Sequence, residues 1–259
     1  MLERLDYVRL SPDRILDAGS GPSPQADALS ARYRHTQLVA LDFSLAMLRE
    51  ARPPGLLDRM RGRRGVLPLC ADIGRLPLAS RSFSMVWSNM ALHWADDPQA
   101  AIGEFHRVLA VEGLLMFSTV GPDTLKELRS AFAGFRGAPR VHSFVDMHDL
   151  GDMLVAAGFA APVMDTETIT LTYPAFEGLL SDLRATGQAC ALANRSRGLL
   201  TPRRLGAARG ELEKARREGR LPATVEVVYG HAWKAAPRKT AEGHAIVHLD
   251  AAPRLRNRS

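Results

Sequence analysis

Three acidic residues in the first third of the chain each close a short apolar run, and together they could bind one ligand. Asp17 lies in Arg14-Ile15-Leu16-Asp17-Ala18-Gly19-Ser20-Gly21-Pro22-Ser23, directly ahead of two glycines. Asp42 follows in Leu41-Asp42-Phe43-Ser44, and Asp72 in Leu69-Cys70-Ala71-Asp72-Ile73, before Leu76-Pro77-Leu78. Glycine at a strand end lets backbone approach a ligand closely, and the helix start that follows offers free N–H groups. The spacing departs from the dinucleotide fingerprint G-x-G-x-x-G, because Asp17 stands directly before the glycines and no third glycine sits at the helix-packing position. A carboxylate there suits a cationic ligand group better than a pyrophosphate. Asp42 is placed to accept hydrogen bonds from both hydroxyls of a ribose. Singly, Asp17 also reads as the cap of a tight turn and Asp42 as a helix-dipole residue. Jointly, the three mark the crevice where open α/β sheets bind ligands. A fourth run, Phe83-Ser84-Met85-Val86-Trp87-Ser88-Asn89-Met90-Ala91-Leu92-His93-Trp94, brings polar and aromatic groups to the same edge. There His93 reads either as a general base or as ordinary packing at a helix start.

These residues need a sheet to hold them. Arg14–Leu16, Leu38–Leu41, Val66–Cys70, Ser84–Trp87 and Leu114–Val120 read as buried strands alternating with helix-length segments, which argues for a parallel sheet with helices on both faces. Ser44 reads as the N-cap of Leu45-Ala46-Met47-Leu48, and Asp96-Asp97-Pro98 opens the helix over Ala101–Leu109. After residue 135 or so the rhythm changes. A helix over His148–Ala157 ends at Gly158, Glu167–Tyr173 alternates as a strand, and helices over Ala175–Thr186 and Pro202–Arg217 precede a last strand at Thr224–Trp233. Two helices exceed what a connection of about 4–6 residues requires, so they read as a functional cover. The expected fold class is α/β: a doubly wound, mostly parallel seven-stranded sheet with a helical cover inserted before the last strand. One domain is expected over 1–259, with a cofactor half at about 10–135, a substrate and cover half at about 136–236, and a disordered tail at about 250–259.

Composition narrows the function classes. At 46% hydrophobic and 24% charged, the 259 residues carry enough apolar surface for a core, which excludes intrinsic disorder. Cys70 and Cys190 stand alone, outside any CxxC or Cys/His cluster, so neither a disulfide framework nor a metal site is expected. Met1-Leu2-Glu3-Arg4-Leu5-Asp6-Tyr7 has no apolar h-region, and no run reaches the roughly 18 apolar residues of a membrane span. The expected location is the cytoplasm. The net charge of +6 concentrates between Arg195 and Arg220, in Arg195, Arg197, Arg203, Arg204, Arg209, Lys214, Arg216, Arg217 and Arg220. That segment reads either as a docking surface for an acidic partner or as an exposed arginine-rich helix. It lacks the interleaved aromatics that stack on bases, so a nucleic-acid partner is not expected.

Leu16-Asp17-Ala18-Gly19-Ser20-Gly21, Leu41-Asp42-Phe43-Ser44-x-x-Met47-Leu48-x-x-Ala51-Arg52 and Asp72-Ile73-x-x-Leu76-Pro77 resemble the class I S-adenosylmethionine (SAM) dependent methyltransferases, Rossmann-like in fold. The resemblance implies that the Gly19/Gly21 loop approaches the methionine moiety with Asp17 nearby, that Asp42 bonds the ribose beside Phe43 and Met47, that Asp72 and the Ile73 backbone hold the adenine, and that Asn89 lines the methionine side. It departs at Ser23, where the family usually has a third glycine. Farther on, Ser88–Trp94, Phe117–Arg129, Val141–Asp152, Asp182–Gly187 and Leu221–Trp233 resemble BioC-type malonyl-acyl carrier protein methyltransferases of biotin synthesis. That likeness implies an O-methyltransferase acting on the free carboxylate of a malonyl thioester, with acyl carrier protein as partner. Such a carboxylate calls for a cation or donor to orient it, and Arg140, His142 and Arg184 are the candidates. Two other readings remain. Leu92-His93-Trp94, Asp123–Arg129 and Asp149-Leu150-Gly151 also resemble a complex I assembly factor with arginine hydroxylase activity, and a non-catalytic SAM-binding module is the third possibility. The family usually carries a helical segment before the first strand, whereas here the strand starts about a dozen residues in; either an upstream start or a reduced lid, with weakened methyl transfer, is expected.

Overall fold

The computed structural model describes residues 1–51, 65–134, 141–188, 190, 195 and 201–236. Five apolar runs become the parallel part of a seven-stranded sheet: β1 (Arg14–Ala18), β2 (Gln37–Asp42), β3 (Leu67–Cys70), β4 (Phe83–Asn89) and β5 (Leu109–Val120). They read as continuous apolar stretches because helices cover both faces of the central strands; Ile15, Leu16, Met85, Val86 and Trp87 are all buried. Between them lie α1 (Ala26–Arg32), α2 (Leu45–Glu50) and α3 (Pro98–Val108). Local chemistry starts these helices: the Ser44 hydroxyl accepts from the Met47 N–H, the Asp97 carboxylate accepts from the Ala100 N–H at 3.1 Å, and Pro98 fills the first turn. Beyond β5 come α4 (Lys126–Ala133), α5 (Met147–Ala156), β6 (Phe159–Tyr173), α6 (Phe176–Ala185), α7 (Pro202–Glu213) and β7 (Leu221–Lys234).

The strand order is β3-β2-β1-β4-β5-β7-β6, and β7 runs antiparallel to both neighbours. The chain winds outward from β1 to β3 and then returns to β4 on the other side of β1. That reversal opens a crevice above the carboxyl ends of β1 and β4, the place where such sheets take ligands. One core lies on each face, around Phe105 and Phe117 and around Trp87 and Leu114. A third packs Phe176, Leu179 and Leu212 against Leu128 and Ala131, so α6 and α7 form a cover over α4.

Several boundaries differ from the sequence reading, for identifiable reasons. Val66–Cys70 was expected to be buried, but β3 is the sheet's outer strand, pairs with β2 alone and leaves its side chains largely exposed. β5 begins at Leu109 because an irregularity at Glu112, with φ of 63°, carries the strand around a bend that breaks its apolar run. β6 begins at Phe159, eight residues before Glu167, although Pro162 interrupts the pattern; a bulge between Ala160 and Val163 and the strand's edge position accommodate a residue with no N–H. α7 stops at Glu213, and Arg217 to Arg220 turn back on themselves. The expected tail at 250–259 lies outside the described residues.

Candidate functional site

A cavity of about 560 Å³ opens at the crevice, and it gathers the glycine loop and two of the three acidic strand ends. Gly19 and Gly21 have φ of 77° and 53°, the left-handed backbone that glycine adopts without cost. This turn is pinned from the next strand: the Gly19 and Ser20 N–H groups donate to the Leu41 carbonyl at 2.7 and 2.9 Å. Asp42 braces it further, accepting from the Gly21 N–H at 2.8 Å and from the Ser44 N–H at 2.7 Å. Asp72 accepts from the Gly74 N–H at 2.8 Å and, with Ile73, forms the opposite wall. Phe43 is 80% exposed and Met47 48%, apolar groups at the rim of a cavity that also holds the Asp42, Asp72 and Asp96 carboxylates. Ser23 takes φ of 55°, the left-handed backbone that a glycine at this position would supply without strain, and its buried hydroxyl has no partner among the described residues.

Asp17 and Asn89 sit differently from the rest. Asp17 lies beneath the cavity, 1% exposed, with Oδ2 unpartnered among the described residues. Burial raises its carboxyl to about 7, and the Asp42 carboxylate adds to the shift. Asn89 turns inward instead of lining the cavity, its Oδ1 accepting from the Ser118 hydroxyl at 2.7 Å. Met90, held at φ of 54°, and Ala91 supply the wall there. The fourth wall was missed from sequence. α6 ends in a Schellman cap, with the Gly187 N–H donating to the Arg184 carbonyl and the Gln188 N–H to the Leu183 carbonyl, which swings Thr186, Gly187 and Gln188 over the cavity. The signal was Thr186-Gly187, a glycine just past a helix end.

A carboxyl with a raised pKa makes the ligand-free fold pH-dependent. Asp17 favours the folded state while protonated, and that contribution is lost as pH rises from its ordinary 3.8 through about 7. Asp17→Asn is therefore expected to raise the Tm of the cofactor-free protein near pH 8, by about 2–4 °C per kcal/mol relieved, and to raise it by less than half as much near pH 5. Equal shifts at both pH values in a thermal melt would show that Asp17 is not held protonated.

A second cavity, of about 280 Å³, lies under the cover, with apolar walls from Leu125, Leu128, Phe132, Leu180 and Leu183. His142 and Arg184 border it, as does Cys190. Arg184 is exposed at the end of α6, and its guanidinium makes no hydrogen bond or ion pair among the described residues. Arg140, the third candidate for reading a carboxylate, lies outside the described residues, as does Arg197. Trp94 and Gln188 border both cavities and so stand where they meet. Neither position was legible as a shared wall, since 94 residues of chain separate them and only the fold joins them. A third cavity of about 590 Å³ lies across the 141–145 strap, and His93, Trp94, His142 and Phe144 face both it and the second. The rings pack together: Trp94 at 5.2 Å and Phe144 at 6.0 Å from His93, and His142 stacked on Phe144 at 5.8 Å.

Fold and site together define a class I SAM-dependent methyltransferase. Residues 16–117 match the family described as a methyltransferase domain, and the YcgJ protein from Bacillus subtilis shares the fold at a TM-score of 0.62 and 16% identity, over 92% of this chain and 97% of that one. The chain is 51% identical to the malonyl-[acyl-carrier protein] O-methyltransferase of Laribacter hongkongensis, over 96% of this chain and 86% of that protein. It is 50% identical to the protein of the same name from Gallionella capsiferriformans, over 95% and 86%. The chain belongs to the malonyl-[acyl-carrier protein] O-methyltransferase family, and its cofactor is SAM. These relatives favour the methyltransferase reading over the assembly-factor and binding-module readings. Among the described residues, no helix is long and apolar enough to cross a membrane.

Proposed function

We propose that this protein transfers a methyl group from SAM to the free carboxylate of a malonyl thioester held on acyl carrier protein, an early step toward the pimeloyl part of biotin. The observation that carries this reading is the meeting, at Trp94 and Gln188, of a cofactor cavity and an apolar cavity with Arg184 at its edge. SAM, when bound, supplies an electrophilic methyl carbon on a sulfonium. The residues present fit it: Asp42 for the ribose, Asp72 and Ile73 for the adenine, Phe43 and Met47 to cover a flat ring, and the glycine loop with the buried Asp17 for the cationic methionine end. Asn89, by contrast, acts through the Ser118 hydroxyl as support for the Met90 turn.

A malonyl carboxylate is already an anion, so the acceptor needs no base, and the protein's task is to bring it to the methyl in line and to keep water away. Leu125, Leu128 and Leu183 exclude water from the thioester arm, while Arg184, with His142 on the same cavity, attracts the carboxylate.

Docking of an acidic carrier protein falls on part of the basic segment. Arg209 is paired with Glu177 at 2.9 Å, Lys214 with Glu211 at 2.7 Å and Arg216 with Glu213 at 2.6 Å, while Arg220 donates to Thr172. Arg203 and Arg204 on the first turn of α7 are exposed and carry no ion pair among the described residues. Replacing both by glutamate is expected to raise KM for the malonyl carrier protein about tenfold at low salt, the equivalent of roughly 1.4 kcal/mol, and to leave a malonyl-coenzyme A substrate unaffected. Equal effects on both substrates would remove this face from docking. The reading as a whole is tested by the intact mass of malonyl-acyl carrier protein after incubation with the protein and SAM. A gain of one methyl supports it, and no gain with SAM binding confirmed by calorimetry overturns it.

A further inference from the structure

His93 lines both the apolar cavity and its neighbour across the 141–145 strap, and one of its ring nitrogens is satisfied by nothing among the described residues. Nε2 of His93 is buried and has no hydrogen-bond partner among the described residues, while Nδ1 lies 3.4 Å from the Thr119 hydroxyl. Thr119 is 3% exposed, and its hydroxyl proton has no other acceptor among the described residues. A buried hydroxyl that loses its partner pays a desolvation penalty, so Thr119 donates to Nδ1. This tautomer places the ring proton on Nε2. The Trp94 and Phe144 rings pack against the imidazole, and this N–H is buried from water. A shielded donor favours a ligand acceptor strongly, because no bond to water is given up when the ligand arrives.

Resting on the malonyl reading above, we propose that His93 is the neutral donor that orients the substrate carboxylate: its Nε2–H holds one oxygen and leaves the other free to attack the methyl carbon. The attacking oxygen's electron pair forms the new C–O bond, the S–C bonding pair returns to sulfur, and no proton moves. His93 therefore starts and ends neutral and acts neither as a general base nor as mere packing, the two readings that the sequence left open. Burial, with a contribution from His142, holds its pKa down at about 4, so the ring stays uncharged across the working range. Neutrality has a chemical purpose here. A cation in direct contact would withdraw charge from the carboxylate and weaken it as a nucleophile, whereas a neutral donor fixes its direction at smaller cost. Among the described residues, the charged and titratable groups that border the same cavities are His142 on the strap, Arg184 on α6, Cys190 beyond it and Asp96 beyond Trp94. Arg184 can attract the anion from the cavity edge while His93 aims it.

The test compares His93→Phe, which keeps a ring in the aromatic cluster but removes the donor, with His93→Gln, which keeps an N–H. With malonyl-acyl carrier protein, His93→Phe is expected to lose about 10–100-fold in kcat/KM, as for a hydrogen bond to a charged group, with SAM affinity unchanged. His93→Gln recovers most of that loss, and the wild-type pH profile of kcat/KM stays flat between about pH 6 and pH 8. Thr119→Val, which frees the tautomer, gives a smaller loss and serves as a second reading should His93→Phe not fold. Full activity of His93→Phe, equal losses in both His93 variants, or a pH step abolished in His93→Gln would each overturn the proposal. A wild type that binds SAM but methylates no malonyl thioester overturns the substrate reading as well, and is distinguished by that control alone.

Discussion

Gly19→Ala is expected to weaken SAM binding by about 100-fold or more while the protein still folds. Two costs coincide at this position. The backbone sits at φ of 77°, where a residue with a side chain is strained by about 1–3 kcal/mol. The added methyl would also lie 2.2 Å from the Ala91 Cβ, well inside contact distance. Ala91 has no flexible end to move aside, so either the glycine turn or the Met90-Ala91 turn must shift, and overpacking of this kind costs about 1–3 kcal/mol. Both turns line the cofactor cavity. Relief by movement therefore comes at the expense of the cofactor's seat, and a loss of about 3 kcal/mol in binding is roughly a hundredfold in Kd. Calorimetric titration with SAM reads it directly. The double variant Gly19→Ala with Ala91→Gly removes the steric overlap and leaves the backbone strain, so it should recover part of the affinity. An unchanged Kd in the single variant would show that this turn does not approach the cofactor.

How much of this was legible in the sequence depends on how local the signal was. Asp17, Asp42 and Asp72 each end an apolar run, and a strand end followed by a glycine or a cap residue has a fixed meaning wherever it occurs, so the crevice could be placed from spacing alone. Strand lengths failed where the backbone bends. Glu112 and Ala161 adopt positive φ within β5 and β6, and Pro162 breaks the alternation that a strand is recognised by. The family resemblance implied that Asn89 lines the cavity, but Ser118 on the neighbouring strand draws its amide inward. Trp94 and Gln188 come together only through the whole sheet and its cover. The charge of the basic segment was readable as a total, but not which arginines remain available: Glu177 reaches Arg209 across from another helix, and Glu213 reaches Arg216 around a turn.

Asp42→Ala is the second large effect expected, and it joins the cofactor seat to the electrostatics beneath it. The carboxylate accepts from the Gly21 and Ser44 N–H groups at 2.8 and 2.7 Å, so it ties the glycine loop to the start of α2 as well as facing the ribose position. Loss of a charge-assisted bond to the sugar costs about 1.5–3 kcal/mol, and loosening the loop adds to that, giving a rise of about 100-fold or more in the Kd for SAM. At saturating SAM, kcat should change far less, because the groups proposed to orient the carboxylate lie in the other cavity. Asp42→Asn retains one acceptor oxygen and should fall between. The same substitution has a second readout. Asp42 helps hold the Asp17 carboxyl up at about 7, so its removal lets Asp17 ionise at lower pH. The stability step of the cofactor-free protein should move down the pH scale with it. Were SAM affinity to collapse while Asp17 titrates as before, the two carboxylates would not share one field, and Asp42 would act on the cofactor through the loop alone. Were affinity to hold, the ribose would have another acceptor.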